Sequence, residues 1–406
     1  MKAIRYNASI PRYVLAKSLG RVTPALLWSR IGPTFIDEVN IPPLPGSDWV
    51  EIQTRYGGIC GSDMGMVTAA ASPYYEPMIS MPLTLGHENV GTISKMGKAV
   101  SGWQVGDRVV VEPLLWCRPR GFEQLCRFCA AGEINRCERF TDGPLAPGMY
   151  TGTCSQTGGS WSRYFTAHES QLYRVSADVS DENALLVEAF ACAIHAVISD
   201  IPSKEEKVLV IGAGTIGLLT LAALRQLGCT SSIMISARYP FQAEAARKLG
   251  ADSIISEGDL YTQVAAQNGA RVFVPPIGKR VVRGGPDVTY ECAGTDSAID
   301  DALRLTRTGG RVVLLGLPGI AKGIDWSALF AQELTVNGSF LYHRAEDYKG
   351  KIESTFSIAL EQFEQGFDLS WMVTHQYDIN AYKKALGQVR KSEDNHIVKA
   401  VFAFDN

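Results

Sequence analysis

Four of the nine cysteines fall in one stretch, CRPRGFEQLCRFCAAGEINRC (117–137), as Cys117, Cys126, Cys129 and Cys137 with the spacing C-x8-C-x2-C-x7-C. Three of them lie within a dozen residues, and AAGEIN supplies a turn before the fourth. Four thiolates that converge make a closed tetrahedral shell for zinc, with no position left for a substrate. Such a shell pins a lobe that has little core of its own. It does no chemistry, so reactive groups must lie elsewhere. GICGSD (58–63) and LGHENVG (85–91) place Cys60, His87 and Glu88 in loops between strands, and VEAFACAIHA (187–196) adds Glu188. Singly, a buried Cys or His is ordinary core material; sulfur, nitrogen and oxygen donors together are harder to dismiss.

A second kind of site is written in GAGTIG (212–217), where Gly212, Gly214 and Gly217 have G-x-G-x-x-G spacing around Thr215 and Ile216. The pattern alone is weak, but here it follows an apolar strand and opens a periodic helix, the context of dinucleotide binding. The first glycine permits a tight turn, the second lets backbone approach a pyrophosphate, and the third allows close helix–strand packing. Unpaired N–H groups at the helix N-terminus then face the phosphates. An acid closing the next strand, in IMISARYP (233–240), would bind the ribose 2′-OH; its place falls on Ala237, with Arg238 following. An acid repels a 2′-phosphate and an arginine pairs with it, a contact of about 1.5–3 kcal/mol. The segment therefore favours NADP(H) over NAD(H), with Ser236, Arg238 and Tyr239 around the phosphate.

These motifs need elements to carry them. A chain of 406 residues exceeds what a single core supports, so two domains are expected. A composition of 46% hydrophobic and 20% charged residues with net charge -3 is that of a globular protein, and argues against nucleic acid or membrane as a partner. The basic cluster GKRVVRGG (278–285) reads as a solvated loop. No secretory signal is evident, and the longest uncharged run, VLVIGAGTIGLLTLAAL (208–224), is short for a membrane span. Residues before Asp37 are basic, as in a transit peptide, but MKAIRY alternates like a strand. An odd cysteine count favours a reducing cytoplasmic home, the mitochondrion being the alternative. Up to about residue 180 short β-rich runs are broken by Gly and Pro, as in a barrel or sandwich; from 207 strands and helices alternate, as in a parallel doubly wound sheet. YKGKIESTFSIALEQFEQG (348–366) reads as one long helical stretch and HIVKAVFAF (396–404) as a terminal strand.

GGICGSD, GHENVG, GDRVVVEP, the cysteine lobe, VEAFACAIHAV, GAGTIG and YECAGT, spread over nearly the whole chain, resemble the zinc-dependent medium-chain dehydrogenase/reductase family, the polyol- and threonine-dehydrogenase-like branch in particular. The resemblance implies an α/β fold. A GroES-like β-rich catalytic domain would span 1–188 with a zinc lobe at about 112–140, a Rossmann domain 189–342, and 343–406 would return to the catalytic domain, with catalytic zinc in the cleft between domains. By position, Cys60 and His87 are zinc ligands, Glu188 is a third, and Glu88 either binds directly or stands behind. Ser62 matches the hydroxyl that passes the substrate's proton, and Asp63 the carboxylate that orients His87. The implied reaction is reversible hydride transfer between an alcohol or polyol carbon, or its carbonyl, and nicotinamide. Backbone near Cys292–Gly294, Gly316–Pro318 and Gly338–Phe340 would meet the carboxamide, and RVVLLGLPG and LTVNGSF would pair across a homodimer or homotetramer.

Charge separates the two glutamates. Zinc with one thiolate, one neutral imidazole and one carboxylate is formally neutral; a second carboxylate makes the site negative and weakens its acidifying effect on a bound alcohol. Cys60, His87 and Glu188 are therefore the expected ligands in turnover, with Glu88 binding when the substrate position is empty. Three features depart from the family pattern. The histidine that usually ends the proton relay is replaced by Gly65; the extra RPRGFEQL could move Cys117 away and let Glu123 substitute; and segment 8–30 is longer than usual. Its apolar Tyr13, Val14, Leu15, Leu19, Leu26, Leu27 and Trp28 are expected to be buried against the barrel. Competing readings are a zinc-free enoyl or quinone reductase on the same fold and a non-catalytic NADPH-binding protein.

Overall fold

Along WVEIQTRYGG, Trp49–Gly58, buried and half-exposed residues alternate, as a strand with one face on a core requires. This long strand is the centre of a sheet in the first of two units of the chain, Met1–Glu188 with His343–Ala345 and Ile352–Asn406. The structure is a computed structural model describing residues 1–404 apart from Arg21, Glu257 and Pro318. Trp49–Gly58 pairs antiparallel with Asn89–Met96, Tyr164–His168 and Lys399–Ala403. Arg108–Val111 and Leu172–Arg174 extend the sheet on one side and Val373–Tyr377 on the other. Val50, Ile52, Ile93, Val109, Val111 and Phe165 fill its interior, each worth about 1.5–3 kcal/mol on burial. Lys2–Tyr6 forms a second sheet with Thr34–Glu38 and Leu83–Thr84.

Segment 8–30 is less buried than expected: of Tyr13, Val14, Leu15, Leu19, Leu26, Leu27 and Trp28, only Leu27 and Trp28 are buried. Residues 10–19 form a helix, so its apolar residues cannot all face one way. Ala16, Leu27 and Trp28 join the core, whereas Val14 and Leu19 are 56% and 47% exposed. Where the first unit crosses from Val111 to Tyr164, the backbone is mostly irregular, and Arg120 organises it. This side chain is fully buried. Its Nε donates to Leu115 O (3.1 Å), Nη1 to Asp142 O (2.8 Å) and Leu145 O (3.3 Å), and Nη2 to Ala146 O (3.2 Å) and Gly148 O (2.7 Å). A planar fork with five N–H donors can gather carbonyls from several turns at once; lysine cannot.

The second unit, Ala189–Tyr342 with Glu346–Lys351, is a doubly wound sheet. Its strands are β1 (Lys207–Ile211), β2 (Ser232–Ser236), β3 (Ser253–Ile255), β4 (Val288–Glu291), β5 (Arg311–Leu314) and β6 (Thr335–Gly338), in the order β3-β2-β1-β4-β5-β6. All neighbours are parallel. This is the Rossmann order, whose direction reverses between β1 and β4; ligands of such sheets bind outside the strand ends there. Helix α1 (Thr215–Gln226) follows β1 and helix α2 (Pro240–Lys248) follows β2. Among the described residues no helix is long and apolar enough to cross a membrane.

Two local expectations are corrected. GKRVVRGG is no free loop: Val281–Arg283 pairs with Arg271–Phe273 as a hairpin, Lys279 pairs with Asp300 and Asp301, and Arg280 with Asp259. The long helix expected over 348–366 is split. Glu346–Tyr348 and Lys351–Glu353 form a hairpin through Gly350 (φ +76°), and the helix spans only Thr355–Glu364, capped by Ser354 Oγ accepting from Ser357 N–H at 3.0 Å. Glycine supplies the left-handed turn, and serine satisfies a free helix donor.

Two stability predictions follow from these contacts. Arg120→Met should lower unfolding free energy by about 4 kcal/mol, since several buried carbonyls lose their donor; denaturation showing under a quarter of that would count against Arg120 as organiser. Hydrogen bonds from Arg311 hold the Glu206 pKa down to about 2, below its ordinary 4.5. A depressed carboxylate contributes stability above its unfolded pKa and loses it as pH falls through the folded one. Glu206→Gln should therefore lower Tm at neutral pH, and the gap to the parent should close as pH falls from 4.5 toward 2.

Candidate active site

Gly58 ends the long strand, and strands on both sides of it end at the same level. Gly57 pairs with Asn89, so Ile59–Cys60 leaves the sheet where His87–Glu88 enters it. On the other flank Gly58 pairs with Val401, and Ile59 N–H donates to Ala400 O at 2.9 Å, which brings Lys399 alongside. A side chain at position 58 would displace Glu88, since its Cβ would fall 2.1 Å from Glu88 Oε2 and 2.8 Å from Glu88 Cβ. Within this frame one ligand atom each from Cys60, His87 and Glu88 lies within 4.8 Å of the others. Glu188, buried on the helix Asp181–Ile198, is close enough to feel His87, Glu88, Lys399 and Asp63.

Asp63 ties the group together. It is 2% exposed; Oδ2 accepts the Cys60 N–H at 3.1 Å and Oδ1 lies 3.3 Å from His87 Nδ1. With Asp63 against Nδ1, Nε2 is the ring nitrogen left for a metal, the arrangement by which a carboxylate fixes a ligating histidine. Burial opposes a charge on His87, but Asp63 and Cys60 outweigh it and raise its pKa. Burial, with Glu88 and Asp63 nearby, pushes Glu188 up to about 7. Tyr150 packs its ring 5.0 Å from that of His87. Ser62 sits half-buried in the first turn of the helix Gly61–Val67. A Cβ at Gly65 would meet only Ala71, at 3.8 Å or more, so the backbone does not demand glycine there.

Lys399 was missed by sequence reading. It is 3% exposed and its ammonium pairs with Glu88, itself 1% exposed. Burial opposes its charge, and Glu88 more than restores it, so its pKa is raised. A signal existed: one charged residue inside the otherwise apolar strand KAVFA is rare without a partner.

The four lobe cysteines converge. Their sulfurs lie within 4.8 Å of one another, with Cys117 and Cys137 3.8 Å apart. Cys126 N–H donates to Cys117 Sγ, Cys129 N–H to Cys126 Sγ and Arg139 N–H to Cys137 Sγ, at 3.4–3.5 Å. Hydrogen bonding from Cys129 and Cys117 pulls Cys137 down to about 6. Glu123 is exposed and outside the group, because the extra residues turn around Arg120 instead of displacing Cys117. Both donor sets fit zinc: four buried sulfurs suit a closed structural shell, and sulfur, nitrogen and carboxylate suit an open one.

In the second unit, the glycine roles are visible. Gly212 has φ +98° and its Cβ would press on Ala293 at 3.0 Å; a Cβ on Gly217 would strike Gly212 O at 1.9 Å. Nothing lies within 4 Å of a Cβ on Gly214, so backbone there is open to an approaching group. Thr215 and Ile216 begin α1. Ser236 ends β2 beside Ile211, Ala237 is fully buried, and Tyr239 caps α2. Arg238 is exposed and makes no ion pair among the described residues. The remaining expected residues follow adjacent strands: Cys292 and Gly294 after β4, Gly316 after β5, Gly338 at the end of β6 and Phe340 beyond it. The Cys292 side chain is buried against Thr220 Oγ1 (3.6 Å), so only its backbone is available. Pro318 lies outside the described residues. Glu291, also unanticipated, accepts the Ala293 and Gly294 N–H groups at 2.8 Å each and so shapes that loop.

Residues 46–177 match the family model described as an alcohol dehydrogenase GroES-like domain, and 215–357 that described as a zinc-binding dehydrogenase. An L-threonine 3-dehydrogenase of Pectobacterium carotovorum is 27% identical over 383 residues, 94% of this chain and 98% of that protein. A protein described as a probable D-xylulose reductase A of Aspergillus terreus is 30% identical over 340 residues, 80% of this chain and 89% of its own. The crystal structure of 2R,3R-butanediol dehydrogenase from Bacillus subtilis superposes with a TM-score of 0.71 at 23% identity, covering 100% of this chain and 99% of the other. With both units matched and the glycine and cysteine motifs in their structural places, the chain belongs to the zinc-dependent medium-chain dehydrogenase/reductase family and is an oxidoreductase of the alcohol dehydrogenase type.

Proposed function

We propose that the protein oxidises a polyol or other hydroxylated small molecule, and reduces the corresponding carbonyl, by hydride transfer to and from NADP(H), with zinc held at Cys60, His87 and Glu188. The observation that carries this reading is the convergence of Cys60 and His87 beside two buried carboxylates, with Asp63 fixing the imidazole. Zinc bound there would acidify an alcohol hydroxyl. Every other task falls to the chain. Asp63 orients the His87 ring through Nδ1, and Ser62, two residues beyond Cys60, takes the hydroxyl proton outward. Gly65 offers no group to continue the relay, so that proton passes from Ser62 to water or a cofactor hydroxyl. The cysteine lobe holds a second zinc and only shape. Gly212, Gly214 and Gly217 with the start of α1 receive the pyrophosphate, Arg238 with Ser236 and Tyr239 the 2′-phosphate, and the loops after β4, β5 and β6 the carboxamide. Polyol-acting relatives support the substrate class. Edge strand β6 supports pairing of two copies as a homodimer or homotetramer. An odd count of nine cysteines supports a reducing compartment, the cytoplasm.

A panel of polyols, sugars, amino alcohols and simple alcohols offered with NADP⁺ and NAD⁺ tests the reaction, with metal content measured on the same protein. About two zinc ions per chain and alcohol-dependent NADPH formation are expected; one zinc and no turnover of any alcohol would favour a binding protein or a zinc-free reductase. Cys60→Ser and Glu188→Ala should each lower kcat/KM by about a hundredfold or more while the chain stays folded, as loss of a metal ligand does. Full activity in both would refute the assignment. Arg238→Ala should shift the NADPH/NADH preference ratio by about ten- to a hundredfold toward NADH; an unchanged ratio removes Arg238 from the cofactor site.

A further inference from the structure

Glu88 is the awkward member of the site. Its carboxylate is near enough to Cys60 and His87 to count with them as a donor, yet it is already engaged by the Lys399 ammonium. Its backbone is fixed, since Glu88 O accepts the Gly58 N–H at 3.0 Å and the Ser160 hydroxyl at 2.8 Å, so only the side chain can choose between the two cations. Lys399 is equally constrained. It sits in strand Lys399–Ala403, almost fully buried, and Glu88 is its ion-pair partner among the described residues; Cys60 and Glu188 are the other acidic groups it feels. Were Glu88 to turn to a metal, Lys399 would be left as a buried ammonium without its partner, which is strongly unfavourable.

We propose that Lys399 is a positioning residue that keeps the Glu88 carboxylate off the metal and so preserves the open coordination position on which substrate binding depends. This rests on the reading that Cys60 and His87 hold zinc. Without the ammonium, a metal held by Cys60 and His87 is the cation left beside the Glu88 carboxylate. The site then closes into a shell of protein ligands alone, which binds zinc more firmly and admits no substrate. The strand position of Lys399, far along the chain from every ligand motif, thus governs whether the centre is catalytic or merely structural.

Two readouts besides turnover test this: release of the faster-exchanging zinc to a chelator, and the visible spectrum of cobalt(II)-substituted protein titrated with imidazole. The four-cysteine shell has no open position, so imidazole reports only the other site. In Lys399→Met, zinc release should slow by about tenfold or more, within the range by which groups behind the ligands tune affinity, and the imidazole response should vanish. Adding Glu88→Gln to Lys399→Met should restore both to parental values, and Lys399→Arg alone should leave both unchanged. A merely disturbed pocket would release zinc faster, so the direction is decisive. Parental or faster release in Lys399→Met, or an unchanged imidazole titration, overturns the proposal. Should Lys399→Met not fold, Glu88→Gln alone decides: parental zinc retention is required, and about tenfold weaker retention would make Glu88 a ligand already and overturn it. A parent chain that binds zinc only at the cysteine lobe, with a count unaltered by Cys60→Ser, sinks the functional reading itself and is a separate result.

Discussion

A charge taken out of water must be answered close by, and the end of strand Trp49–Gly58 gathers several. Asp63, Glu88 and Glu188 are each 4% exposed or less, and Lys399 is the buried ammonium beside them. The excess of acid drives His87 and Glu188 toward their protonated forms. A divalent cation bound there would answer the same excess and release those protons, which would couple metal affinity to pH. Charge balance, more than any single contact, explains why these side chains tolerate burial.

That balance depends on strand pairing. Cys60, His87–Glu88 and Lys399 come from three segments separated by tens to hundreds of residues, and they meet because their strands are neighbours on either side of Gly58. Gly58 makes room for this arrangement, since a methyl group there would push into the place of the Glu88 carboxylate. Asp63 then converts proximity into orientation by holding the Cys60 backbone and the His87 ring at once. The second unit uses the same economy. Gly212, Gly214 and Gly217 each lack a side chain for a different reason, and the third would collide with the first.

Much of this was legible because it is local. The glycine spacing, the cysteine spacing and the alternation of strands and helices are short-range patterns, and each reports a backbone constraint that holds in any context. Errors arose where a local pattern had two solutions. The apolar residues of segment 8–30 were read as uniformly buried, but a helix turns Val14 and Leu19 away from the Ala16 face. The basic run 278–285 is largely exposed, as expected, but it is no loop: Val281–Arg283 is a strand, and Lys279 and Arg280 meet acids brought by other elements. Residues 346–353 were read partly as helix, but a left-handed glycine folds them into a hairpin before Ser354 can start one.

By itself the sequence determined the two-part architecture, the glycine turn after β1 and the grouping of four cysteines in one lobe, since these follow from periodicity, from spacing and from what each residue's backbone permits. Tertiary structure alone decided which carboxylate Lys399 meets, that Arg120 gathers five carbonyls, and that Glu291 braces the loop after β4. Those are relations between residues distant along the chain. A lysine in a strand carries no mark of its partner, because the partner is chosen by which strands lie side by side and by the cost of leaving either charge buried alone.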